Sequence, residues 1–185
     1  MPRKMIVLGI DPGSHHCGFG VVAREGSRLV VVESGVIEPG DQPLADRLAT
    51  LLDGLSAVVA RTRPAEAAVE QVHSGPSPRS ALVLGQARGV ALAAAARGGC
   101  PVFEYQPSEV KLAFTGSGRA SKEQMLRTAR QLLGVEAERS DEADALAVAV
   151  CHLARRVARI AADPRRAADA LARMRPSRRE PRSAP

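Results

Sequence analysis

Met5-Ile6-Val7-Leu8-Gly9-Ile10-Asp11-Pro12-Gly13-Ser14 is an unbroken apolar run that stops at a carboxylate and a turn-forming Pro-Gly pair. A strand apolar at every position is buried on both faces, so the run reads as the centre of a sheet and Asp11 as its last residue. Two β-rich runs follow, Gly18 to Ala23 and Leu29 to Ile37, separated by the turn-like Arg24-Glu25-Gly26-Ser27. They predict an antiparallel meander beside the first strand.

The period changes after residue 44. Leu44, Leu48, Leu51, Leu52, Leu55, Val58 and Val59 recur at three- and four-residue steps up to Pro64, the pattern of an amphipathic helix lying on a sheet. Ala67-Ala68-Val69-Glu70-Gln71-Val72 is a further short strand, and Ser74 to Pro78 a loop. Ser80 to Arg97 reads as a helix with little polar face, and such a helix packs on more than one side. Its Gly85 and Gly89, one turn apart, lower helix propensity but admit a close backbone. The expectation is sheet on one side and a second copy of the chain on the other. Pro101 to Tyr105 forms a fifth strand and Ser108 to Phe114 a short helix. Thr115 to Arg119 reads as a flexible loop, and Ser121 with Gln124 as a capping box opening a helix to Leu133. Ser140 is the expected N-cap of a last helix running to about Ile160. The sum is a five-stranded mixed α/β sheet with helices on both faces.

At 185 residues the chain has room for one domain with a sizeable core. The expected division is a folded body over residues 1–160 and an Arg/Pro-rich tail over 161–185. Residues 1–150 hold 16 basic and 17 acidic side chains, whereas 151–185 hold 10 Arg against 3 acids. The positive end is drawn to polyanions, nucleic acid first and an anionic membrane surface second, or is a solvated, partly disordered end. Aromatics are only 2% of the chain, so Ala, Val and Leu fill the core and base stacking is short of material. Cys17, Cys100 and Cys151 are odd in number and widely spaced, which argues against a disulfide framework or structural zinc and for a reducing cytoplasm. His15-His16 and Cys151-His152 likewise lack zinc-ligand spacing. No apolar stretch is long enough to enter a membrane.

Asp11 and Glu70 end apolar strands, and Asp141 and Asp144 share one face of the last helix at i and i+3. Carboxylates gathered closely repel by roughly 4 kcal/mol per pair at about 4 Å and an effective dielectric near 20, so they hold protons or bind divalent cations. Hard oxygen ligands suit magnesium or manganese, and two such ions catalyse in-line phosphodiester hydrolysis. Each acid also has a structural reading: Asp11 caps a turn, and Asp141 and Asp144 favour the positive end of their helix.

Gly9 to Ser14, Glu70-Gln71-Val72, Leu84 to Val90, Val102 to Tyr105 and Asp141 to Ala147, in this order, resemble the RuvC family of crossover-junction endodeoxyribonucleases over roughly residues 4–155. The resemblance implies a ribonuclease H-like fold and a homodimer, with the 80–97 helix as its contact. It implies binding to four-way (Holliday) DNA junctions, symmetric cleavage of two opposed strands, and RuvA and RuvB as working partners. It assigns Asp11, Glu70, Asp141 and Asp144 as catalytic ligands of two Mg2+ or Mn2+ ions. Lys111 and Lys122 match basic residues near the scissile phosphates, and Arg119 and Ser14 join them as DNA-binding candidates. Where relatives place a wedging aromatic, this chain has His73, which stacks on bases with less surface or serves only as a loop residue. Two other readings remain at this level: a catalytically weak junction binder, and a fragment of an actin- or sugar-kinase-type ATPase, whose phosphate loop also reads Asp-x-Gly-Ser.

Overall fold

The computed structural model describes residues 4–71 and 77–162, with side chains described up to residue 158. The expected strand is β1 (Met5–Asp11), and the meander continues with β2 (Cys17–Glu25) and β3 (Arg28–Ile37). After α1 (Leu44–Thr62) come β4 (Glu66–Glu70), α2 (Pro78–Arg97) and β5 (Val102–Tyr105). Then α3 (Pro107–Thr115), α4 (Lys122–Leu133) and α5 (Ser140–Ala162) follow in succession. The sheet order is β3-β2-β1-β4-β5, antiparallel across β1, β2 and β3 and parallel across β1, β4 and β5.

β1 is central, as its uninterrupted apolar run requires: Val7, Leu8 and Ile10 are fully buried. Alternate residues feed two cores. Leu8, Ile10 and Val69 pack under α1 and α2, whereas Val7, Ala68 and Tyr105 pack under α3, α4 and α5. Three of the four aromatics, Phe19, Tyr105 and Phe114, are buried, and Phe103 packs against the second core. None is left on the surface for a base.

One boundary differs from expectation, and α5 is wrapped by its own chain more fully than α2: Ala145 to Leu153 are all buried, including His152. Along α2 one stripe is buried (Ala87, Ala91, Ala94, Ala95), while Leu82 is 65% exposed and nothing lies within 4 Å of a Cβ built on Gly85 or Gly89. The second face of α2 therefore has no cover within its own chain. Ser140 is the first helical residue of α5 rather than its cap, because Ala143 N–H bonds to the Arg139 carbonyl and makes Arg139 the N-cap. The Ser121/Gln124 capping box forms with both reciprocal bonds.

Candidate active site

Asp11 and Glu70 are the last residues of adjacent parallel strands, each one step past the paired Ile10 and Val69. Asp11 pairs across β1 and β2 with Gly18, and Gly9 with Gly20, so these residues share one sheet face. α5 lies directly on that face. A Cβ on Gly18 would overlap the Asp141 carbonyl oxygen, one on Gly9 the Ala145 carbonyl oxygen, and one on Gly20 would sit 2.8 Å from the Leu146 nitrogen. Backbone-to-backbone contact of this closeness brings the first turns of α5, with Asp141 and Asp144, onto Asp11 and Glu70.

The electrostatics record the convergence. Burial first, then the charges of Glu70, Asp144 and Asp141, push the Asp11 carboxyl well above the usual carboxylate range. Burial, then Asp144, pushes Glu70 up to about 7 against the pull of Lys111 and of a hydrogen bond with Asp11. Asp144 is raised by burial, with Lys111 and Lys122 opposing and Asp141 adding. All four predicted acids thus share one field, and both predicted lysines act on it. Burial and mutual repulsion thus favour the protonated form of Asp11 and of Glu70 over their usual range.

Among the described residues no group of three or more His, Cys, Asp or Glu side chains is set, as it stands, to hold a metal ion. The donor set nevertheless fits a hard divalent cation: four carboxyl groups in one partly buried cluster, whose mutual repulsion a cation would relieve. Burial also raises the neighbouring Cys17 thiol to about 12, which disfavours the thiolate a nucleophile requires.

Lys111 projects from α3 and Lys122 is the first residue of α4. The loop between them, read from sequence as flexible, is tied down: the Thr115 hydroxyl donates to the Lys111 carbonyl at 2.9 Å and accepts from the Ser117 N–H at 3.2 Å, and Ala120 N–H reaches the Ser117 carbonyl. Arg119 is exposed on this loop, and Ser14 is partly buried in the turn after Asp11. His73 and residues 163–185 lie outside the described residues.

Sequence reading missed the residues that fasten Asp141. Ser34 on β3 donates to Glu142 at 2.6 Å, and Arg139 pairs with Glu38 while standing 4.0 Å from Asp141. Pairs more than 100 residues apart leave no local signal. The glycines did leave one: Gly18-Phe19-Gly20 places two glycines on one strand face, which marks a close backbone approach.

The sequence model of a family described as crossover junction endodeoxyribonuclease RuvC matches residues 7–152. The chain is similar to the crossover junction endodeoxyribonuclease RuvC of Anaeromyxobacter dehalogenans (strain 2CP-C), at 72% identity over 98% of this chain and 100% of that protein. It is similar to that of Myxococcus xanthus (strain DK1622) at 53% identity over 80% of each. Among solved structures it resembles Thermus thermophilus RuvC in complex with Holliday junction substrate, with TM-score 0.75 and 36% identity over 80% of this chain and 93% of that one. The yeast mitochondrial Holliday junction resolvase shares the fold, with TM-score 0.60 at 16% identity over 78% and 76% of the two chains.

Proposed function

The chain belongs to the RuvC family of crossover junction endodeoxyribonucleases, and from that premise we propose that Asp11, Glu70, Asp141 and Asp144 are the catalytic carboxylates with which it resolves Holliday junctions. The protein is a structure-selective, divalent-metal-dependent endonuclease with a ribonuclease H-like fold. The observation that carries the site reading is the shared field of the four acids, which raises Asp11, Glu70 and Asp144 together. Family membership sets the ATPase reading aside.

The four acids would hold two ions, Mg2+ or Mn2+, which when bound supply an activated water and balance charge on the leaving 3′ oxygen. The chain's own groups do the rest. Asp11 and Glu70, whose carboxyls are raised, lose their protons so that the cluster becomes anionic. Lys111 and Lys122 draw the scissile phosphate to the cluster and offset its developing negative charge. Arg119 and Ser14 contact the strand on either side, and His73 stacks on bases at the junction centre. The body spans residues 1–160, and the 161–185 tail adds phosphate contacts. We place the protein in the cytoplasm, working with RuvA and RuvB. The deciding experiment incubates a labelled mobile four-way junction with protein and Mg2+ or Mn2+: paired nicks in opposed strands are expected, and binding without nicks would leave only a junction-binding protein.

The Glu70 value fixes a pH dependence. Its carboxyl titrates near 4.5 when unfolded and at about 7 when folded, so the native state binds the extra proton and stability falls as pH rises through that window. Glu70→Gln removes this penalty, and its melting temperature relative to the parent is expected to be higher at pH 8 than at pH 4, by on the order of 2 kcal/mol in stability. Cleavage by the parent is expected to rise through pH 7 as the proton departs. A Glu70→Gln stability difference that is flat with pH would contradict the assignment.

We further propose that two copies pair through the uncovered face of α2. Gly89→Arg has open space around it in the single chain, so the fold is expected to survive. Sedimentation should show the parent at twice its 19.5 kDa chain mass and the variant at that mass alone. Unchanged sedimentation of Gly89→Arg would place the contact elsewhere.

A further inference from the structure

α5 carries two of the four acids, so its position along its own axis sets the geometry of the site. The strip it lies on in β1 and β2 is made of Gly9, Gly18 and Gly20, facing backbone at Asp141, Ala145, Leu146 and Ala149. Small residues let the helix come close, and Val7 and Val22 on the same face add apolar contacts that carry no direction. A directional stop is supplied elsewhere.

It is found two turns beyond Asp144. His152 is fully buried, with its Nδ1 2.8 Å from the Tyr105 hydroxyl and its Nε2 2.6 Å from Glu66 Oε2. With the ring proton on Nε2, the Tyr105 hydroxyl donates to Nδ1 and His152 donates to the carboxylate, so both ring nitrogens are satisfied. Arg156, one turn further along α5, donates to Glu66 Oε1 at 3.1 Å, and the Phe103 ring stands 4.6 Å from the imidazole. The partners matter as much as the bonds. Glu66 begins the strand that Glu70 ends, and Tyr105 pairs with Glu70 in the sheet. Tyr105 also leads directly into α3, which carries Lys111, and α3 is tied to α5 again by Arg155 with Glu109 at 2.7 Å.

We propose that His152, gripped between Glu66 and Tyr105, is a positioning residue that sets where α5 rests along the sheet and so how Asp141 and Asp144 meet Glu70 and Lys111. The inference rests on the four acids being the cation site. His152 stands about 12 Å along the helix axis from Asp144, so it acts through the rigid helix and never on the substrate. Polar bonds are directional and short-ranged, and an imidazole held at both nitrogens fixes axial position in a way that apolar contact with glycine does not.

The test uses the full chain and Mn2+ as probe. Tyr105→Phe removes one hydroxyl, and Glu66→Gln keeps a hydrogen-bonding group without its charge. Each is expected to weaken Mn2+ binding by titration calorimetry on the order of 5- to 10-fold, and to shrink the melting-temperature rise that Mn2+ produces. Junction affinity without metal should stay within about 2-fold of the parent, since neither substitution removes a proposed DNA-contacting side chain. Val58→Ala, on the buried side of α1 against the opposite sheet face, serves as a destabilised comparison and should bind Mn2+ like the parent. Parental Mn2+ affinity in Tyr105→Phe overturns the proposal, as does an equal loss in Val58→Ala. Asp144→Asn separates the two levels. If it too binds Mn2+ like the parent, the site reading itself fails; if it loses Mn2+ while Tyr105→Phe does not, only the positioning role fails.

Discussion

Asp144→Asn, and separately Asp11→Asn, is expected to bind a four-way junction as tightly as the parent and to cut it at least about 1,000-fold more slowly, a loss of about 4 kcal/mol in transition-state stabilisation. The side chains are close in shape, so the packing of β1 and α5 is kept. What disappears is a negative charge in a cluster whose members already raise one another's proton affinity. Without it the cluster competes poorly for a divalent cation, and the water and leaving oxygen lose their electrostatic support. Both variants should also melt higher than the parent at neutral pH, because a buried repulsion has been relieved. Gel shift without activating metal, single-turnover cleavage and thermal unfolding together check the pattern. Cleavage within 10-fold of the parent would remove the residue from the catalytic set.

Gly18→Ala tests the other half of the design, the seating of the helix. The added methyl cannot share space with the Asp141 carbonyl oxygen, so the first turn of α5 must lift from β2. Overpacking of this kind costs about 1–3 kcal/mol in stability. The kinetic loss should be larger in proportion, about 100-fold or more, because a displacement near 1 Å at catalytic groups carries that penalty. Val58→Ala is the contrasting case: it opens a cavity between α1 and the other sheet face without moving α5, so stability falls while cleavage stays near the parent's. Cleavage by Gly18→Ala within a few-fold of the parent would show that the contact is not needed for the site.

Local chemistry explains which features could be read from sequence. β1 was legible because a central strand leaves a continuous apolar run, α1 because a one-sided helix repeats at three and four residues, and the start of α4 because its capping box lies within four residues. The four acids were legible as types at element ends, and their assembly came from the order of the surrounding blocks. What stayed hidden is long-range. α2 and α5 are both Ala-rich with few polar residues, and composition does not say which is wrapped by its own chain and which leaves a face for another. Ser34 with Glu142, and Glu66 with His152, join residues 108 and 86 positions apart, and each residue alone looks like an ordinary polar side chain. His152 showed only a lack of zinc-ligand spacing, and its complete burial and two partners were beyond reach.

The placement of Asp141 and Asp144 on the last helix has a consequence for biosynthesis. A ribosome delivers Asp11 and Glu70 early, on strands that can pair as they emerge, but the other two acids arrive only after about 140 residues have been made. On the proposed assignment, the nascent chain displays half a cluster until α5 docks. Catalytic competence is then the last property the polypeptide acquires, and a chain ending before α5 is expected to leave junction DNA uncut.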